Sequence, residues 1–144
     1  AKLELGDSPT EWTQAASDPF LQVRQSYVSG STTTTSATMT DITSASFANV
    51  IVNGKQTVLL SFTASGGQGV VADHSFALLR DSTTLVSVQG YTHTANKSSI
   101  FSLLAIDVNP AAGNYTYKAQ FASDGVATLT INGRMLTLIV LPSA

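Results

Sequence analysis

The feature that most constrains this chain is apolar alternation at a period of two, broken at short intervals by turn residues. Asn-Gly stands twice between such runs: residues 47–52 and 55–62 flank Asn53-Gly54, and residues 126–131 and 134–141 flank Asn132-Gly133. A two-residue hairpin loop of this kind needs φ > 0 at both positions, which Asn and Gly tolerate. The pattern therefore predicts a hairpin at each site. A further hairpin is predicted between residues 74–80 and 84–91 around Asp81-Ser82-Thr83, with strands over 100–108 and 114–122. About eight short strands at regular spacing specify an all-β fold, an antiparallel β-sandwich.

A length of 144 residues fits one domain. Charged residues make up 11%, less than half of the usual ~25%, and Ser and Thr take their place. The seven Lys and Arg are scattered singly and the net charge is −2. No basic patch exists for phosphate binding, so nucleic acid is not an expected partner. The absence of cysteine excludes a disulfide framework, a zinc ribbon and thiol catalysis. No apolar run approaches the ~20 residues of a membrane-spanning helix. The opening at Ala1, with no charged stretch leading into an apolar one, reads as a chain without a signal peptide.

Three segments differ in character. Residues 1–28 read as an N-terminal arm. Ser8-Pro9-Thr10-Glu11 carries an N-cap Ser, a Pro for the first helical position and a capping-box Glu, which predicts one short helix ending before Asp18-Pro19. Leu3, Leu5, Trp12, Phe20 and Leu21 are too many large apolar groups for a free tail, and are the expected partner-binding residues. Residues 29–46 form a Thr/Ser-rich bridge, either a flexible linker or an exposed edge strand. Residues 47–144 form the sandwich domain.

The strand faces point to a second buried surface. Ala127, Leu129, Ile131, Leu136, Leu138 and Val140 make one apolar face, yet Val126, Met135, Ile139 and Leu141 lie on the other. In residues 100–108, Ile100, Leu104, Ile106 and Val108 alternate with Phe101, Leu103 and Ala105. An antiparallel strand of a monomer usually places polar groups outward. The arm could cover the second surface, but a homo-oligomer interface is the favoured expectation, because more than one strand is apolar on both sides. Tyr115, Tyr117 and Phe121 share one strand face, either as core aromatics or as a column at a trimer interface.

No catalytic site is expected. In Asp73-His74-Ser75 the neighbours point to opposite faces and cannot converge as a triad. His74 and His93 fall close to opposite one another across the predicted hairpin and would supply two imidazoles to a metal. Two exposed histidines at loop ends is the plainer reading, so no metal and no cofactor are expected. Residues 65–69 are glycine-rich but lack the Lys and helix of a phosphate loop. The aspartates sit mostly at turns, where they bond their own backbone.

Phe76-Ala-Leu-Leu-Arg-Asp81, residues 103–108, and the corner Asp107-Val-Asn-Pro-Ala-Ala-Gly-Asn-Tyr-Thr-Tyr117 leading to a last strand ending Leu138-Ile-Val-Leu141 resemble the jelly-roll domain of the tumour-necrosis-factor and complement-globular-head type. Its version in phage virion proteins looks closest. The resemblance implies a jelly roll, a homotrimer with the tyrosine-bearing strands near the threefold axis, no catalysis, and an arm that attaches the trimer to a shell. The resulting expectation is a trimeric capsid decoration (cement) protein on the capsid surface, assembled in the host cytoplasm. Its partners would be itself and the major capsid protein, with no nucleic acid and no membrane. The alternative is a receptor- or glycan-binding tip of a head or tail fibre.

Overall fold

The computed structural model describes residues 21–91 and 95–142. Among them are nine strands: β1 (Gln22–Val28), β2 (Thr32–Thr34), β3 (Thr40–Val52), β4 (Thr57–Gln68), β5 (Asp73–Arg80), β6 (Thr83–Tyr91), β7 (Ser99–Val108), β8 (Gly113–Ser123) and β9 (Leu129–Leu141). One sheet runs β1-β9-β4-β7, with β2 also paired to β9; the other runs β3-β8-β5-β6. All pairs are antiparallel. From β3 onward the chain crosses between the sheets at every connection except β5–β6, the two-Greek-key path of a jelly roll.

Both Asn-Gly hairpin expectations are corrected. β3 and β4 lie in different sheets, so Asn53-Gly54 is a crossover between layers rather than a hairpin turn. Its local chemistry is as expected: Gly54 has φ +85°, and the Asn53 side chain accepts a bond from the Lys55 N–H at 3.0 Å. Asn132-Gly133 lies inside β9, which is one continuous strand. Ala64 pairs with Arg134 and Gly66 with Ile131, leaving Ser65 alone opposite Asn132 and Gly133. This β-bulge shifts the alternation by one residue. Leu129 and Ile131 before it, and Leu136, Leu138 and Val140 after it, therefore all reach the core. A parity switch around Asn-Gly is also what a hairpin would show. Gly66 permits the close approach of β4 and β9, since a Cβ there would collide with the Thr130 carbonyl. The β5–β6 hairpin forms as expected, with Arg80 opposite Thr83 and Asp81 at φ 50°.

The segment boundaries also move. Residues 22–28, placed in the arm by sequence, form β1 against β9. The Thr-rich bridge is an ordered edge: Thr32–Thr34 pairs with Leu129–Ile131, and β3 already starts at Thr40. Leu3, Leu5, Trp12, Phe20 and the expected short helix lie outside the described residues.

The core sits between the sheets, around Phe62, Phe76, Phe121, Tyr117, Leu60 and Leu78. Asp107 of β7 ties the two layers together. Arg80 of β5 donates to both of its carboxylate oxygens at 2.9 and 3.0 Å, and the Tyr117 hydroxyl of β8 donates to Oδ2 at 2.7 Å. Burial first, and the hydrogen bond to the Asp107 carboxylate second, push the Tyr117 phenol well above its ordinary range, so it remains a hydrogen-bond donor. Asp107→Ala leaves Arg80 and the Tyr117 hydroxyl facing a partnerless space. The expected loss is about 3 kcal/mol in urea unfolding, because removing one member of a buried pair strands the other. Lys118→Ala, at the open Lys118–Asp41 pair, is expected to stay within about 0.5 kcal/mol.

Candidate functional site

The outward face of the β1-β9-β4-β7 sheet is the most unusual surface of the molecule. The strand register groups its residues into rows. Val23, Ile139, Leu59 and Ile106 lie side by side across all four strands. Leu141, Thr57 and Val108 form the row beside them, next to Leu21. Toward the other end come Gln25, Thr137, Ser61 and Leu104, then Tyr27, Met135, Thr63 and Ser102, and finally Ser65 beside Ile100.

No Lys, Arg, Asp or Glu occurs among these residues. Leu21, Val23, Tyr27, Ile100, Leu104, Ile106 and Val108 are each more than half exposed. The outward side of the other sheet differs, carrying Asp41, Lys118 and Gln120, whose side chains bond one another. Apolar residues scattered singly on a surface need no explanation, but a contiguous charge-free face marks an interaction site.

Strand period places these residues. In β7 the odd positions Phe101, Leu103, Ala105 and Asp107 face the core and the even ones face out, as the sequence pattern anticipates. In β9 the bulge sets Met135, Ile139 and Leu141 outward. Val126 is not part of the face; it is exposed in the loop before β9. Sequence reasoning missed the contribution of β1. The signal was the period-two set Leu21, Val23 and Tyr27, obscured by Phe20 directly before it.

The tyrosine-bearing strand does not supply the face. Tyr117 and Phe121 are fully buried in the subunit's own core, at 0% and 2% exposure, which leaves them no area for a neighbouring subunit. Tyr115 is half-buried. Its hydroxyl donates to the Ala111 carbonyl at 2.9 Å, and the Arg80 guanidinium stacks 5.0 Å from its ring centre. The Asp107–Tyr117 corner thus serves the sandwich internally, where the sequence reading also gave these aromatics a place at a trimer interface.

His74 is buried rather than exposed. Its ring lies edge-on to Phe101, with centroids 4.9 Å apart, and to Phe76 at 5.7 Å. Gly90 is its cross-strand partner, and a Cβ there would collide with the imidazole Nε2. His93 lies outside the described residues. Among the described residues no group of three His, Cys, Asp or Glu comes together for a metal. A polar cleft of about 350 Å³ opens at one end of the sandwich between Gly67, Asn96, Lys97, Ser98, Thr130 and Asn132.

No protein-family model matches the chain, and no curated protein matches it. Solved structures resemble it. The PRD1 vertex protein P5 superposes with a TM-score of 0.50 at 12% identity, covering 85% of this chain and 96% of that one. A Bacillus endospore appendage of a disulfide-linked pilus family gives 0.45 at 10% identity, covering 94% of this chain and all of that one. Infectious bursal disease virus, Gx strain, gives 0.47 at 12% identity, covering 87% of this chain but 30% of the matched chain. At these identities the likeness concerns the fold alone.

Burial holds the His74 imidazole below its ordinary pKa of 6.5, against the opposing pull of Asp73. The unfolded chain then takes up the proton more readily than the folded one. The stability that His74 contributes is complete above pH 6.5 and is lost as the pH falls through the lowered folded value. The urea midpoint is expected to drop as the pH falls below about 6.5, and His74→Gln is expected to flatten that slope.

Proposed function

We propose that this chain is a structural, non-enzymatic virion protein whose copies associate through the charge-free sheet face. In this reading three subunits form a trimer that decorates and cements a phage head, and the N-terminal segment extends the trimer's contacts to the major capsid protein. The face carries the proposal. It is apolar across four strands, and fully burying a Val, Leu or Ile contributes about 1.5–3 kcal/mol. A few such side chains per subunit are enough to drive association. A neutral face also adds no charge to be desolvated.

The jelly roll shared with the PRD1 vertex protein P5 supports the scaffold and leaves the role to be tested. A trimer that binds only the assembled shell stabilises that shell by mass action, and three linked contacts allow each one to be weak. A second reading, a receptor- or glycan-binding fibre tip, is favoured by the neutral amides and hydroxyls of the polar cleft near Asn96 and Asn132. Immunogold labelling separates the two, since a decoration protein marks the faces of the head and a tip marks fibre ends.

Light scattering behind size exclusion is expected to give a trimer mass. Ile106→Lys and Val23→Lys, at positions already open to solvent in the single subunit, are expected to give monomers with an unchanged β circular-dichroism spectrum. A monomeric unsubstituted chain would sink the proposed assembly.

A further inference from the structure

Past Ser65 and Ile100, beyond the last apolar row, the β1-β9-β4-β7 sheet turns polar. Its next row is Thr33, Thr130 and Gly67, and beside that row opens the cleft of about 350 Å³. One wall is the turn at residues 96–98; the other is Thr128, Thr130 and Asn132. Gly67 and Gly69 leave the floor bare. A Cβ on Gly67 would collide with the Lys97 carbonyl, so glycine is what lets the turn lie this close to β4. The Asn96 N–H donates to the Gln68 carbonyl at 3.0 Å and pins the turn there. Across the cleft, Asn132 Oδ1 accepts from the Ser31 hydroxyl at 3.0 Å, so the amide nitrogen is the end that can donate to a ligand. The walls are thus fixed by contacts within the chain. Among the described residues no Asp or Glu lines the cleft, and Lys97 enters no ion pair.

We infer that this cleft binds an acidic saccharide, with its carboxylate on Lys97 and its ring hydroxyls on Asn96, Thr130 and Asn132. A sugar ring carries hydroxyls on adjacent carbons, each both donor and acceptor. A side-chain amide offers a donor and an acceptor in one plane, and a threonine hydroxyl offers both on one atom. An ammonium with no carboxylate beside it favours a negatively charged ring over a neutral one, because hydrogen bonds between charged groups are the stronger kind. Among the described residues no aromatic ring lines the cleft to stack on a sugar. A single site is therefore weak, and several copies displayed on one particle supply the avidity. The inference rests on the glycan-binding reading and specifies its ligand. It does not require the apolar face to associate.

The test is an amide NMR titration of the full chain with digalacturonate and sialyllactose, using uncharged digalactose and lactose as controls. At least one acidic sugar is expected to shift the amides of residues 67–69, 96–98 and 128–132. It is expected to bind about tenfold more tightly than its uncharged counterpart. Lys97→Gln is expected to erase that difference. Gly69→Leu is expected to block both sugars with an unchanged β circular-dichroism spectrum, since a Cβ at Gly69 meets only Asn96 Oδ1, at 3.6 Å. Equal binding of acidic and uncharged sugars at these amides would overturn the acidic ligand and leave the glycan reading standing. Shifts elsewhere, or none with any of the four sugars, would overturn the site. Immunogold label on the faces of the head would remove the fibre-tip placement without touching the result of the titration.

Discussion

A carboxylate between two sheets holds the rest of this structure in place. Asp107 sits at the end of β7 in one layer and accepts from Arg80 and Tyr117 in the other. A buried charge is tolerated only when it is paired and hydrogen-bonded, so the two strands of the second layer cannot slide relative to β7 without stranding it. The corner that follows depends on the same cluster. The Arg80 guanidinium packs on Tyr115, and Thr116 and Asp81 exchange bonds that fix the adjacent loop. Tyr117 is thereby committed to the subunit interior, and Tyr115 is held against its own subunit at the rim.

The other side of the sandwich is closed by arginines acting on backbone. β3 is bulged between Asp41 and Ser46 and between Phe47 and Val50, with Ser44 and Asn49 at positive φ. Carbonyls in these bulged stretches are met by side chains from the other sheet: Arg24 donates to Ala48 and Asn49, Ser26 to Ser44, and Arg134 to Thr43. Arg134 also reaches the Gly30 carbonyl at 2.6 Å. Burial lowers its pKa. A bulge takes residues out of the regular ladder, and here their carbonyls find side-chain partners instead. β1, placed by sequence in an arm, and β2, in the bridge for which an edge strand was one of two readings, are bound into the fold at this seam.

With both sides closed by polar groups facing inward, the sandwich has two outer faces to dispose of. One carries the Lys118–Asp41 pair and interacts readily with water. The other collects the surplus of aliphatic residues from β1, β4, β7 and β9. Short charge-poor strands rich in Ser and Thr can form either kind of face. The difference lies in which strands the jelly-roll path sets side by side, since β1, β4, β7 and β9 are distant in sequence and become neighbours only through crossovers.

Much of this was legible in the sequence because strand period is a local property. The alternation in residues 100–108 separates Leu103 and Ala105 from Leu104 and Ile106, and the burial follows it. The hairpin at Asp81-Ser82 was legible for the same reason, since two adjacent strands and a short loop are a local unit. Asn-Gly was misread twice. A turn residue reports the backbone conformation it tolerates, not the sheet in which the next strand finds its partner, and a bulge changes side-chain parity as a hairpin does. The sequence by itself determined that the fold is all-β and which sides of most strands are apolar, because these follow from period and composition. Only the tertiary structure decided that Tyr117 and Phe121 fill the core while Val23, Ile139, Leu59 and Ile106 share one open row. That row exists only through pairings between residues far apart in the chain, and no local preference encodes them.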